Sequence, residues 1–297
     1  MKRHSMTTQK NTDTVLVWGL LILLSIFWGT SFLLMKKALV VFEPLQVGSL
    51  RIFIAGLTLM PIALTQISKL PREKIPYIFA SGLMGYLIPA LLFAMAGSKI
   101  SSSLSGTLNS TTPIFVMIMG VLFFKQKIKS LQIMGLLIAL SGSLILIFSS
   151  GKSISFDNPY ALLIFMATIL YGINVNIMGK HLTGLNAVHL AAWTLGTVTI
   201  LSGLIAFFTG GFSKFDHPDF WIAFGEIVLL GAVNSAMMSI LFNKLMQLSS
   251  PVFASSVTYL IPIVATIVGF MDKEQITVFH VLGMGITLVG VYLINKK

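Results

Sequence analysis

Trp28, Ser31 and Met35 stand three and four residues apart in an apolar stretch, a spacing that puts them on one face of a helix. In the second half of the chain Tyr171, Asn174 and Met178 follow at a shift of 143 positions, with the same spacing; Asn176 points away from that face. An aromatic ring, a hydroxyl or amide, and a flexible thioether suit reversible capture of an aromatic or amphipathic solute. The competing reading is packing, since small and polar side chains hold membrane helices together at about 0.6–2 kcal/mol each. Four more residues join the candidate set. Asn109 and Tyr259 precede Pro113 and Pro262, and Asn234 stands beside Ser235 in an apolar run. Arg51 is the basic residue well inside an apolar run, and its counterpart in the second half is Thr194. It is open to three uses: pairing with an anionic group on a solute, snorkelling to an interface, or satisfying freed carbonyls.

Covalent chemistry finds little support. The chain has no cysteine, nine acidic residues and five histidines, so thiolate reactions, disulfides and cysteine-held zinc are excluded. Glu226 is the acid expected within an apolar run, near its end, while His189 and His280 fall near the starts of theirs. A membrane enzyme needs acids, bases or metal ligands converging at one depth. A relay of buried carboxylates for proton coupling is equally unsupported. Gly151-Lys152-Ser153 resembles the end of a phosphate loop, but the earlier glycine it needs is Leu146. No cofactor or metal is expected.

The elements that carry these residues follow from composition. The 297 residues are 56% hydrophobic and 10% charged, with a mean hydropathy of +0.92; a soluble chain carries about 25% charged residues. Ten apolar runs fit transmembrane helices at about 15–35, 45–66, 75–97, 103–124, 130–149, 159–179, 187–209, 221–243, 251–271 and 276–295. Lipid offers the backbone no hydrogen bonds, so such runs become helices. The expected fold is an all-α integral membrane protein. The formal charge of +11 sits in the short breaks between runs. That is a topology signal, and no nucleic-acid partner is expected.

The chain also repeats itself. A hydroxyl-rich segment leads to Pro113, then an apolar run, a charged linker, and a helix with Gly135 and Gly142; about 149 positions later come Pro262, Asp272-Lys273-Glu274, Gly283 and Gly290. A fixed period of this kind marks duplication. The division expected is a tail at 1–14, a first five-helix repeat at 15–150 and a second at 151–297. Thirteen Lys and Arg fall on the side of both chain ends and six on the other, which places both termini in the cytoplasm. Five helices is an odd number, so the second repeat is inverted. Inverted repeats build many secondary transporters, with a site at the midplane between them. Pro113 and Pro262 each free the carbonyl four residues earlier, from Asn109 and Thr258, and are read as a pair of hinges lining that site. Gly135, Ala139, Gly142, Gly283 and Gly290 read as close-packing positions between helices five and ten.

Phe27-Trp28-Gly29-Thr30-Ser31-Phe32, Leu50-Arg51-Ile52-Phe53 and the two proline-linker-glycine segments resemble the EamA-type branch of the drug/metabolite transporter superfamily. The resemblance covers nearly all of the chain after the first dozen residues. That family carries a glutamate in the linker; Glu274 matches it, and Gln126 stands in its place in the first repeat. The resemblance implies a ten-helix inner-membrane permease for small metabolites, often an exporter, and no enzyme. The expected partners are the lipid bilayer and a small organic solute such as an amino acid. The alternatives are a lipid flippase and a membrane-embedded transferase.

Overall fold

The computed structural model describes residues 2–149, 159–271 and 277–296, and among them there is helix and no strand. Among the described residues, seven helical stretches are long and apolar enough to cross a membrane: Thr14–Ala38, Pro44–Thr65, Arg72–Gly97, Tyr160–His181, Ala187–Phe208, Phe220–Leu248 and Val278–Asn295. Thr112–Phe124, Ser130–Leu146 and Pro251–Val264 are shorter apolar helices. The linker Asp272-Lys273-Glu274 and the loop Gly151-Lys152-Ser153 lie outside the described residues.

In chain order the helices are α1 (Lys2–Ala38), α2 (Pro44–Thr65), α3 (Ile75–Gly82), α4 (Ile88–Gly97), α5 (Ser102–Asn109), α6 (Thr112–Phe124) and α7 (Ser130–Ser149). Then come α8 (Tyr160–His181), α9 (Ala187–Phe208), α10 (Phe220–Val228), α11 (Met238–Leu248), α12 (Pro251–Ser255), α13 (Val257–Met271) and α14 (Val278–Asn295). Local chemistry sets several starts. Pro44 opens α2, and the Glu43 N–H donates to Gln46 Oε1 at 2.9 Å, while Asn186 Oδ1 takes the Val188 N–H at 2.9 Å ahead of α9. Such caps satisfy donors that the first turn leaves free.

Polar residues are buried and large apolar ones face out, the reverse of a protein in water. Ser49, Ser105, Thr168, Asn176 and Thr287 are fully buried, whereas Ile200, Phe208, Leu162 and Val278 are exposed. The expected glycine contacts are present. A β-carbon at Gly135 would meet the Gly290 carbonyl at 2.8 Å, and one at Gly142 would meet the Gly283 carbonyl at 2.8 Å. The absence of side chains there lets α7 and α14 touch backbone to backbone.

Contacts between the halves come in exchanged pairs. α2 packs on α9 and α7 on α14; α6 lies on α8 as α1 lies on α13; and α8 meets the α3–α4 segment as α1 meets the α10–α11 segment.

Two features depart from the sequence expectation. α3 passes into α4 through a π-helical segment, Leu83–Leu87, and α10 into α11 through another, Leu229–Met237. A π turn carries an extra residue and so re-aims the side chains after it. Pro89 falls in the first turn of α4, just past the first of these. The proline segments also differ from each other. Pro113 was expected about ten residues inside one helix; instead the helix breaks after Asn109 and Pro113 sits in the first turn of α6, where its missing N–H costs nothing. Pro262 lies inside α13, which follows a break at Ser256.

Candidate functional site

The freed carbonyls at both prolines find hydroxyls. The Thr112 hydroxyl donates to the Asn109 carbonyl at 2.7 Å, and the Ser110 hydroxyl reaches across the halves to the Thr258 carbonyl at 3.2 Å. Backbone groups loosened by proline inside a bundle are held in this way. The unwound turns border a cavity of about 130 Å³.

Seven of the eight candidate residues line that cavity: Trp28, Ser31, Arg51, Asn109, Tyr171, Asn174 and Asn234. Tyr259 does not, which corrects the expectation. It is fully buried, and its hydroxyl donates to the Leu136 carbonyl of α7 at 3.2 Å. The break at Ser256 sets the register of α13 so that Thr258 lines the cavity instead. Met35 lines it too, whereas Met178 is buried behind Asn174, whose Nδ2 lies 3.6 Å from its sulfur. Asn176 is spent on packing, with Nδ2 donating to the carbonyls of Val116 at 2.8 Å and Gly172 at 2.7 Å.

Trp28 and Asn234 are locked together. The Trp28 indole N–H donates to the Asn234 carbonyl at 3.0 Å. The Asn234 Nδ2 donates to the Phe27 carbonyl at 2.8 Å and the Ser31 hydroxyl at 2.7 Å. A carbonyl can only accept, so the amide orientation is fixed by this contact. On the other side, the Ser81 hydroxyl donates to Asn174 Oδ1 at 2.6 Å. Asn109 Oδ1 takes the Thr112 hydroxyl at 3.2 Å. The Arg51 Nε donates to the Ser235 hydroxyl at 2.8 Å.

Sequence reasoning missed Gly85 and Tyr86, which enter the cavity wall from the first π segment as Asn234 and Ser235 do from the second. The shift that relates these pairs, 149 positions, equals the shift between the prolines. Applying that shift to Asn234 was the signal that could have found Gly85. Phe32, Phe93 and Phe242 complete an aromatic wall, with Phe93 stacked near Tyr171 at 6.1 Å between centroids.

Two further titratable side chains lie near helix ends. Glu226, expected at a wet helix end, pairs with Lys37 at 3.3 Å while its other oxygen is buried without a hydrogen bond. His280, near the start of its apolar run, is buried, with Nδ1 taking the Thr277 N–H at 3.1 Å at the start of α14. Among the described residues no three His, Asp or Glu side chains group closely enough to hold a metal ion.

An apolar exterior, a buried polar interior and a cavity walled by both halves of the chain are features of a helical membrane protein with an internal binding space. Residues 16–148 and 158–296 each match the EamA-like transporter family, and the chain belongs to that family. It is 25% identical over 287 residues to an uncharacterized transporter of Archaeoglobus fulgidus, covering 94% of this chain and 99% of that one. It is 26% identical over 292 residues to the uncharacterized inner membrane transporter YedA of Escherichia coli K12, covering 94% and 90%. A solved crystal structure matches with a TM-score of 0.67 at 15% identity and 95% coverage of both chains, a likeness of fold.

Proposed function

We propose that this chain is a secondary permease of the inner membrane that carries a small organic metabolite by alternating access. It would cross the bilayer ten times, with residues 15–150 and 151–297 as inverted five-span repeats and both termini in the cytoplasm. The family match to each half, the three shorter apolar helices beside the seven long ones, and the exchanged packing of the halves support that count. The observation that carries the reading is the cavity, walled by both halves at related positions, Trp28 and Ser31 against Tyr171 and Asn174, Gly85 against Asn234. Ligand sites in such folds lie between the repeats, beside discontinuous helices.

The proposed contacts are Trp28, Ser31, Arg51, Asn109, Tyr171, Asn174 and Asn234, with the broken segments at Pro113 and Pro262 as pivots. Contacts at the two ends would close the path in turn. At one end Lys37 of α1 pairs with Glu226 of α10. At the other Tyr77 of α3 stacks on His181 of α8 with centroids 4.0 Å apart.

The test is counterflow of radiolabelled amino acids and related metabolites into proteoliposomes. Exchange above empty vesicles, lost in Trp28→Ala, supports the permease. If no soluble solute exchanges, the permease reading falls and lipid movement by the same protein becomes the next assay.

A further inference from the structure

Among the described residues, Arg51 is the charged one in the cavity wall, and every other residue lining it is neutral. Its Nε is held by the Ser235 hydroxyl at 2.8 Å. Among the described residues its two Nη groups have no hydrogen-bond partner, and the ion pair present is Lys37 with Glu226, at a helix end. A guanidinium does not lose its proton in proteins, and a half-buried charge inside a membrane bundle without a counter-ion is costly. Interface snorkelling and carbonyl satisfaction, the other uses open to this residue, leave no guanidinium in a cavity wall.

We propose that the cargo carries a carboxylate, and that Arg51, oriented by Ser235, is its charge partner; this rests on the permease reading. The free edge of a guanidinium presents two parallel N–H groups that match a carboxylate. With Nε committed to Ser235, the Nη pair is the edge left for the ligand. Charge balance selects among anions. One guanidinium neutralises a monoanion, whereas a phosphate monoester, with a charge of about −1.5 to −2, would leave charge uncompensated in a wall with no second cation among its described residues. The body of the solute would meet Trp28, Phe32, Tyr86, Phe93, Tyr171 and Phe242, which favours a ring or a branched apolar group. An α-ammonium would find the carbonyl end of the Asn234 amide, since its Nδ2 is turned to Phe27 and Ser31. Amino acids and simple aromatic acids share the carboxylate, and the probes separate them.

The probes are matched pairs: phenylacetate with phenylacetamide, and L-phenylalanine with L-phenylalaninamide. Each is titrated against the full-length protein in detergent, with thermal unfolding as the readout. The acids are expected to raise the unfolding temperature and to bind at least about tenfold tighter than their amides, the range of hydrogen bonds to charged groups. In Arg51→Gln that difference disappears. Arg51→Lys keeps the charge without the fork, so it retains the preference for acids with weaker binding and guards against a folding artefact in the glutamine variant. The margin of phenylalanine over phenylacetate measures what the ammonium adds. Amides binding as tightly as acids, a surviving preference in Arg51→Gln, or no shift with any acid overturns the assignment. Counterflow of a neutral solute without any acid binding sinks the carboxylate and spares the permease; no exchange of any solute sinks both.

Discussion

Asn234 and Ser31 meet across the two halves of the chain, amide nitrogen to hydroxyl oxygen at 2.7 Å. The related positions on the other side, Gly85 and Asn174, have exchanged the large residue for the small one. There the asparagine stands on the helix facing the π segment, and Gly85 on that segment makes room for it. A β-carbon on Gly85 would overlap the Asn174 amide. Each side therefore holds one amide, contributed from opposite partners.

This exchange predicts compensation. Gly85→Asn places two amides in one space and is expected to destabilise by about 2 kcal/mol or more, within the range for overpacking. Asn174→Ser in the same chain recreates the Ser31–Asn234 arrangement and restores much of the loss. A double-mutant cycle by thermal or denaturant unfolding is expected to give a coupling of at least about 1 kcal/mol. Additive effects would mean the two sites do not share that space.

Asn234→Asp keeps shape and removes the donor. The carboxyl oxygen then faces the Phe27 carbonyl, which cannot donate. The expected cost is about 1–3 kcal/mol, the penalty for a buried group left unsatisfied. Asn234→Ala, which leaves space and no second acceptor there, is expected to be milder in the same unfolding assay.

Lys37 and Glu226 provide a charge-swap test of the proposed closure at their end of the bundle. Lys37 is exposed and Glu226 largely covered, so the pair contributes up to about 1 kcal/mol. Glu226→Lys alone sets like charges together and is expected to slow counterflow several-fold. Adding Lys37→Glu is expected to recover most of the rate. Equal rates in the single and double variants would remove this pair from the transport cycle.

The α7–α14 contact depends on hydrogen-sized side chains at chosen positions. Gly290→Ala would drive its new carbon against the backbone of Ala139 and Gly135 and is expected to lower the unfolding temperature clearly. Gly285→Ala, on the same helix, meets nothing within 4 Å. It is expected to be neutral or stabilising by up to about 1 kcal/mol, since alanine favours helix. Detergent unfolding of the two variants side by side checks the contrast.

Sequence by itself determined the solvent and the secondary structure. Apolar runs such as 45–66 and 187–209 must satisfy their backbones internally in lipid, so they became α2 and α9. The spacing of Gly135 and Gly142, matched by Gly283 and Gly290, gave the contact of α7 with α14. The face shared by Trp28, Ser31 and Met35 could also be read, because three- and four-residue spacing is local information. Tertiary structure decided what depends on register and distant partners. A single broken turn at Ser256 sent Tyr259 to Leu136 and left Thr258 on the cavity. The π segments turned Gly85 and Asn234 inward, and no residue type marks such a turn in advance. The partner of Arg51, Ser235, lies 184 positions along the chain. Helical periodicity fixes which residues share a face; which face meets which helix is settled by packing between segments far apart in sequence.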